Sequence, residues 1–163
     1  MLENTDTLLA LAEIAAAFAG FAALVSVLRG AGDPTDVVHD LLRLRLVISS
    51  SVAGVAAALV PVGLAGYGLE PDLTWRLAAL LFLLFDDGII VSFLRAYRPV
   101  RGTFPPDRLA VGLVTFLEIL EQISLVGIVL GLTFGTAPAL YVTALIANIC
   151  QAGFIFVRFV GSA

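Results

Sequence analysis

The stretch LLFLLFDDGIIVSFL, Leu80 to Leu94, decides how the chain is read. Thirteen of its fifteen residues suit an apolar medium, and two adjacent carboxylic acids, Asp86 and Asp87, stand in the middle. A run of this length and hydropathy, extended back to Thr74, matches the roughly 20 residues that a helix needs to cross a bilayer core. The same pattern recurs along the chain. Sixty per cent of the residues are apolar and the mean hydropathy is +1.06, far beyond the range of soluble domains. Five spans are predicted, at about residues 7–28, 44–66, 74–94, 109–133 and 138–160. The expected fold is all-α: a single domain, residues 1–163, forming a bundle of five transmembrane helices.

Arginine placement sets the expected orientation. All nine basic residues are Arg. With five spans, Arg29, Arg43, Arg45, Arg95, Arg98, Arg101, Arg108 and Arg158 fall on one side, and Arg76 alone falls on the other. The positive-inside rule then puts the N-terminus outside and the C-terminus in the cytoplasm. The expected location is the bacterial cytoplasmic (inner) membrane, because an all-Arg, Ala/Gly/Leu/Val-rich composition is that of a GC-rich bacterial chain. The N-terminal MLENTDT has no basic residue, so it lacks the n-region of a secretory signal, and the first span is expected to be retained. Trp75, Tyr67 and Tyr141 are expected near the outer interface and Tyr97 near the inner one.

Loops and breakers add detail. In GDPTDVVHDLLRLR, Asp33 can cap a helix that has Pro34 at its first position. This helix is either an extension of the second span or a separate interfacial one. Pro106 is expected in the first turn of the fourth span. Pro61, followed by Gly63, Gly66 and Gly68, is expected to kink or unwind the end of the second. The short FGTAP permits only a hairpin between the last two spans. Cys150 has no partner for a disulfide and is expected to be a buried, inert thiol.

The first span, LAEIAAAFAGFAALVSVLR (residues 11–29), resembles the opening of small multi-span bacterial membrane proteins of unassigned activity. The resemblance implies a polytopic membrane fold and brings no catalytic or binding residue with it. Read on its own, the segment places Ala12, Ala16, Gly20 and Ala23 in a strip of small residues that lets helices approach closely. Glu13 borders this strip and is expected to face protein.

Polar residues recur at one depth. Asp86 and Asp87 lie mid-way along the third span, Glu118, Glu121 and Gln122 mid-way along the fourth, and Asn148 and Gln151 mid-way along the fifth. Glu13 lies nearer the outer end of the first. Spacings of three and four put Glu118, Glu121 and Gln122 on one helix face, with Thr115 a turn away. Asp86 and Asp87 are about 100° apart and cannot point the same way. Five acids with no base at their level cannot all be ionised in a dry site. If those five are neutral, nine positive and eight negative groups remain, so the formal net charge of −4 says little about partners.

Intramembrane acids mark ion paths, proton relays or polar partners. The candidate cation- or proton-binding residues are Asp86, Asp87, Glu118, Glu121 and Glu13, supported by Gln122, Asn148, Gln151 and Thr115. An oxygen-only set favours a proton or a hard cation such as Na⁺, K⁺, Ca²⁺ or Mg²⁺ over zinc, haem or an iron–sulfur cluster. The function expected is an oligomeric cation or proton pathway. The rival is an accessory or scaffold subunit whose acids serve helix packing and partner binding. Arg95, Arg98 and Arg101 are expected to touch anionic headgroups. Ser49 to Ser51 are expected to pack helices. No nucleotide-binding loop, Ser-His-Asp set or nucleic-acid patch is visible, so neither an enzyme nor a nucleic-acid binder is expected.

Overall fold

The computed structural model describes residues 4–28, 34–100, 102, 107–133 and 135–161. It is all-helical: α1 Thr5–Leu28, α2 Pro34–Gly66, α3 Pro71–Tyr97, α4 Arg108–Val129 and α5 Ala137–Gly161. All five are long and apolar enough to cross a membrane, with mean hydropathy between 1.8 and 2.2 over their best windows. They run up and down. α5 touches each of the other four, α2 touches α1, α3 and α5, and α4 touches α3 and α5. The centre of the bundle is therefore the α2–α5 pair, and α1, α3 and α4 are less buried.

Small residues set the close contacts. α1 turns Leu8, Ala12, Ala15 and Ala22 inward. Gly54 of α2 sits where α1, α2 and α5 meet; a Cβ there would lie 3.1 Å from Asn148 Oδ1 and 3.5 Å from the Ala15 methyl. Such approaches are how apolar helices associate without a hydrophobic driving force between them. The inward face of α1 is not the expected one. Ala16, Gly20 and Ala23 are exposed, and so is Glu13, because the helix is rotated to press Ala15 against α2. Cys150 is also exposed rather than buried: it lies on the outer face of α5, opposite the core residues Asn148 and Ala152.

Two aromatic anchors move inside. Trp75 and Tyr141 are buried and pack on each other at 5.4 Å between ring centroids, with Phe82 against Tyr141 at 6.1 Å. The Tyr141 hydroxyl donates to the Ala57 carbonyl of α2 at 2.7 Å. Residue 61, four positions later, would ordinarily supply that donor, but it is Pro61 and has no N–H. The tyrosine thus replaces the helix bond that proline removes. This explains why α2 stays helical through Pro61 to Gly66 instead of unwinding.

α2 also begins earlier than expected, at Pro34, so the segment before residue 44 is a continuous extension of the helix. Asp33, Arg29, Arg101 and Pro106 lie outside the described residues. α4 starts behind Asp107, whose carboxylate accepts from the Leu109 amide at 2.9 Å and pairs with Arg158 of α5. The amide and then the arginine hold the Asp107 carboxyl below its ordinary 3.8. Any stability from this pair is therefore present above that value and lost as the pH falls through the lowered one.

The fourth helix ends sooner than the expected Thr133. Gly131 adopts φ 73°, the Leu132 amide donates to Gly127 at 2.9 Å, and the Gly131 amide donates to Ile128 at 3.0 Å, which closes the helix as a Schellman motif. A Cβ at Gly131 would lie 2.6 Å from the Arg76 guanidinium. Gly131→Ala is therefore expected to cost about 1–2 kcal/mol for the left-handed backbone alone, and to displace Arg76. A thermal melt equal to wild type would contradict this.

A carboxylate cluster between three helices

The cluster is built from helical spacing. Glu118 and Glu121 project from one face of α4, and Asp86 projects from α3 beside them. One carboxylate oxygen from each of Asp86, Glu118 and Glu121 lies within 4.8 Å of the others. Asp86 and Glu121 are buried, and Glu118 is half-buried. Two amides hold the group together. Gln122 Nε2 donates to Glu118 Oε1 at 2.9 Å and to Asp86 Oδ2 at 3.2 Å, and lies 3.4 Å from Asp87 Oδ1. Gln151 of α5 donates to Glu118 Oε2 and Glu121 Oε2, both at 3.3 Å. Three helices are thus joined through carboxyl groups.

Donors are fewer than acceptors. An amide NH₂ has two hydrogens, and Gln122 faces three carboxyl groups. Glu121 Oε1 is fully buried with no hydrogen-bond partner. Among the described residues no Arg or Lys forms an ion pair with the cluster. Three ionised carboxylates this close would repel by about 4 kcal/mol per pair at an effective dielectric constant of 20. The arrangement is stable only with positive charge added, as protons or as a cation.

No family of proteins, no curated protein and no solved structure matches this chain. The cluster is therefore interpreted from its own chemistry.

The remaining polar residues divide into three groups. Asn148 is buried on α5 and donates to Ser50 of α2 at 3.1 Å, while its Oδ1 has no partner and lies over Gly54. Asn148 also lies against Glu121, which links α2 to the cluster. Asp86 is buried and Asp87 exposed on α3, yet both carboxylates reach toward the one Gln122 amide, so the adjacent acids converge on a common donor instead of pointing apart. Thr115 is exposed on α4, and Glu13 stands apart on α1, which touches neither α3 nor α4.

The α2 contribution comes from the serine run, which packs against α5 as expected. Ser50 and Ser51 are buried at the level of Asn148, and the Ser51 hydroxyl has no partner.

Proposed function

We propose that the chain is a multi-pass protein of the bacterial inner membrane in which Asp86, Glu118 and Glu121 bind a proton or a hard cation in transit. The observation that carries this reading is the buried, unpartnered Glu121 Oε1 within a set of three carboxyl groups served by neutral amides alone. Oxygens at these separations suit one ion held at about 2.3–2.6 Å, the range of Ca²⁺ ligands, and equally suit carboxyls that share protons. Asp87 is the outward member of the set. It shares the Gln122 amide with Asp86 and borders a surface pocket that runs along Gly88, Val91 and Ser92 to Arg95. That pocket offers access from the arginine-rich end of the bundle.

In this reading the N-terminus is outside and the C-terminus cytoplasmic, and Arg95 and Arg98 at the end of α3 meet anionic headgroups. The basis is the eight-to-one division of arginines between the two ends. Cysteines introduced at Thr5 and Ser162 in a Cys150→Ala background are expected to react from opposite sides of sealed vesicles. Reaction of both from one side would eliminate the five-span topology. The chain is also read as a homo-oligomer, because Glu13 and Asp87 are exposed on helices that would otherwise meet lipid. Single-step photobleaching of every labelled particle in a bilayer would count against that.

The scaffold reading has its own support. Gln122 and Gln151 cross-link α3, α4 and α5, which is what packing groups do. Purified protein in liposomes separates the two. A pathway gives proton or cation flux above protein-free vesicles. A scaffold gives none and co-purifies with a defined partner.

A further inference from the structure

A second site lies between α2 and α3, away from the carboxyl cluster. There α2 and α3 line a cleft of about 350 Å³, at the small end of the roughly 300–1,000 Å³ of ligand pockets. Small residues on both helices leave it room: Ser49 on α2, and Gly88 and Ser92 on α3. Nothing lies within 4 Å of a Cβ placed on Gly88. Phe85 and Ile89 make its floor apolar. Arg45 closes its mouth by donating from Nη2 to the Ser92 hydroxyl at 3.0 Å.

Arg45 is in an unusual position. Twenty-one residues separate it from Gly66, so it lies about 30 Å from the far end of α2 at the helical rise, which is about the thickness of a bilayer core. It therefore sits at headgroup depth if Gly66 marks the opposite boundary. Its guanidinium uses one donor on Ser92, and among the described residues no carboxylate neutralises it. None of the residues lining the cleft is acidic. Asp87, next to Gly88, turns toward Gln122 of α4. Arg95 lies on the other side of Ser92 and Ala96, in the neighbouring pocket. From Ser92 to Phe85 the cleft runs on the order of 10 Å along α3.

We propose that this cleft binds one anionic phospholipid, with its phosphate on Arg45 and the upper part of one acyl chain against Phe85, Gly88 and Ile89. A planar guanidinium with donors to spare is the group that best matches a phosphate, and basic pockets between helices at the cytoplasmic face hold acidic headgroups. The apolar floor requires a tail, so a soluble phosphate does not fill the site. The inference rests on the membrane placement of the chain and is independent of what the carboxylates do.

The test is native mass spectrometry of the purified chain, titrated with dioleoyl phosphatidylglycerol or with dioleoyl phosphatidylcholine. Wild type is expected to bind the first about tenfold more tightly, roughly 1.4 kcal/mol. Arg45→Gln should bring the two lipids within about twofold of each other. Gly88→Leu fills the cleft and should lower occupancy by both, with an unchanged thermal melt showing that the bundle is intact. Arg76→Gln, at the opposite end of α3, should keep the wild-type preference. The proposal is overturned if wild type does not distinguish the lipids, if Arg45→Gln keeps the preference, or if Gly88→Leu binds as wild type does. It is also overturned if glycerol phosphate displaces the lipid. Quantitative disulfide formation between two copies of Ser92→Cys, in a Cys150→Ala background, would assign the cleft to a second copy and overturn it too.

Discussion

Glu121→Gln protein in liposomes is expected to lose proton or cation flux by roughly tenfold or more, a barrier increase of at least about 1.4 kcal/mol, while keeping its thermal melt and oligomeric state. Gln has the shape of Glu and can still accept from Gln151. It can also donate, so the fold has no reason to fail. What it cannot do is carry a negative charge or exchange a proton. Glu121 is fully buried, Gln151 holds its Oε2 and Asn148 lies against it, while its Oε1 makes no close hydrogen bond, so that oxygen is the one a transported species would use. Asp86→Asn should act in the same direction. If the acids are packing groups, both variants will be nearly silent in every assay, and Glu121→Leu will loosen the bundle instead. A double Asp86→Asn, Glu121→Gln protein that conducts like wild type at every pH tested would end the transport reading.

The largest stability effect short of truncation is expected at Tyr141. Tyr141→Phe should cost about 1–3 kcal/mol, because it leaves the Ala57 carbonyl buried without a donor. Tyr141 and Ala57 are both buried, so water is not at hand to replace it. The cause can be isolated. Pro61→Ala returns an N–H to the position that ordinarily serves Ala57, so it should recover most of the loss in the Tyr141→Phe background. Two independent, additive effects in a double-mutant cycle would show that the tyrosine and the proline are unrelated. Tyr141→Ala should cost more, about 3–5 kcal/mol on the scale of buried aromatics, since contacts with Trp75 and Phe82 go as well.

Hydropathy made the five helices legible, because the requirement for a long apolar run is local and every span meets it. The ends were less so. α4 stops at Val129 because Gly131 turns left-handed, while the apolar run continues through Leu130 and Leu132. Spacing made one face of α4 legible, and with it the association of Glu118, Glu121 and Gln122. That Asp86 is the buried partner of Glu118 and Glu121 while Asp87 stays exposed is set by how α3 is rotated, and rotation depends on packing with other helices. The same limit applies to Glu13 and Cys150. Their helices are apolar on all sides, so periodicity could not distinguish inside from outside. Tyr141 shows a different gap. Proline four residues after Ala57 announces a carbonyl in need of a donor, yet nothing local identifies which distant residue supplies it.

The last of the five helices is also the one that touches all the others, and this orders biogenesis. On the proposed membrane reading, a chain emerging from the ribosome places α1 to α4 in the bilayer first. At that stage Asp86 and Glu118 have Gln122, but Glu118 and Glu121 lack Gln151, and Ser50 lacks Asn148. Four helices then wait with acidic and hydroxyl groups unsatisfied, in the medium least able to solvate them. The newborn chain is thus most vulnerable to quality control before α5 joins, and arrival of α5 is the event that seals the cluster.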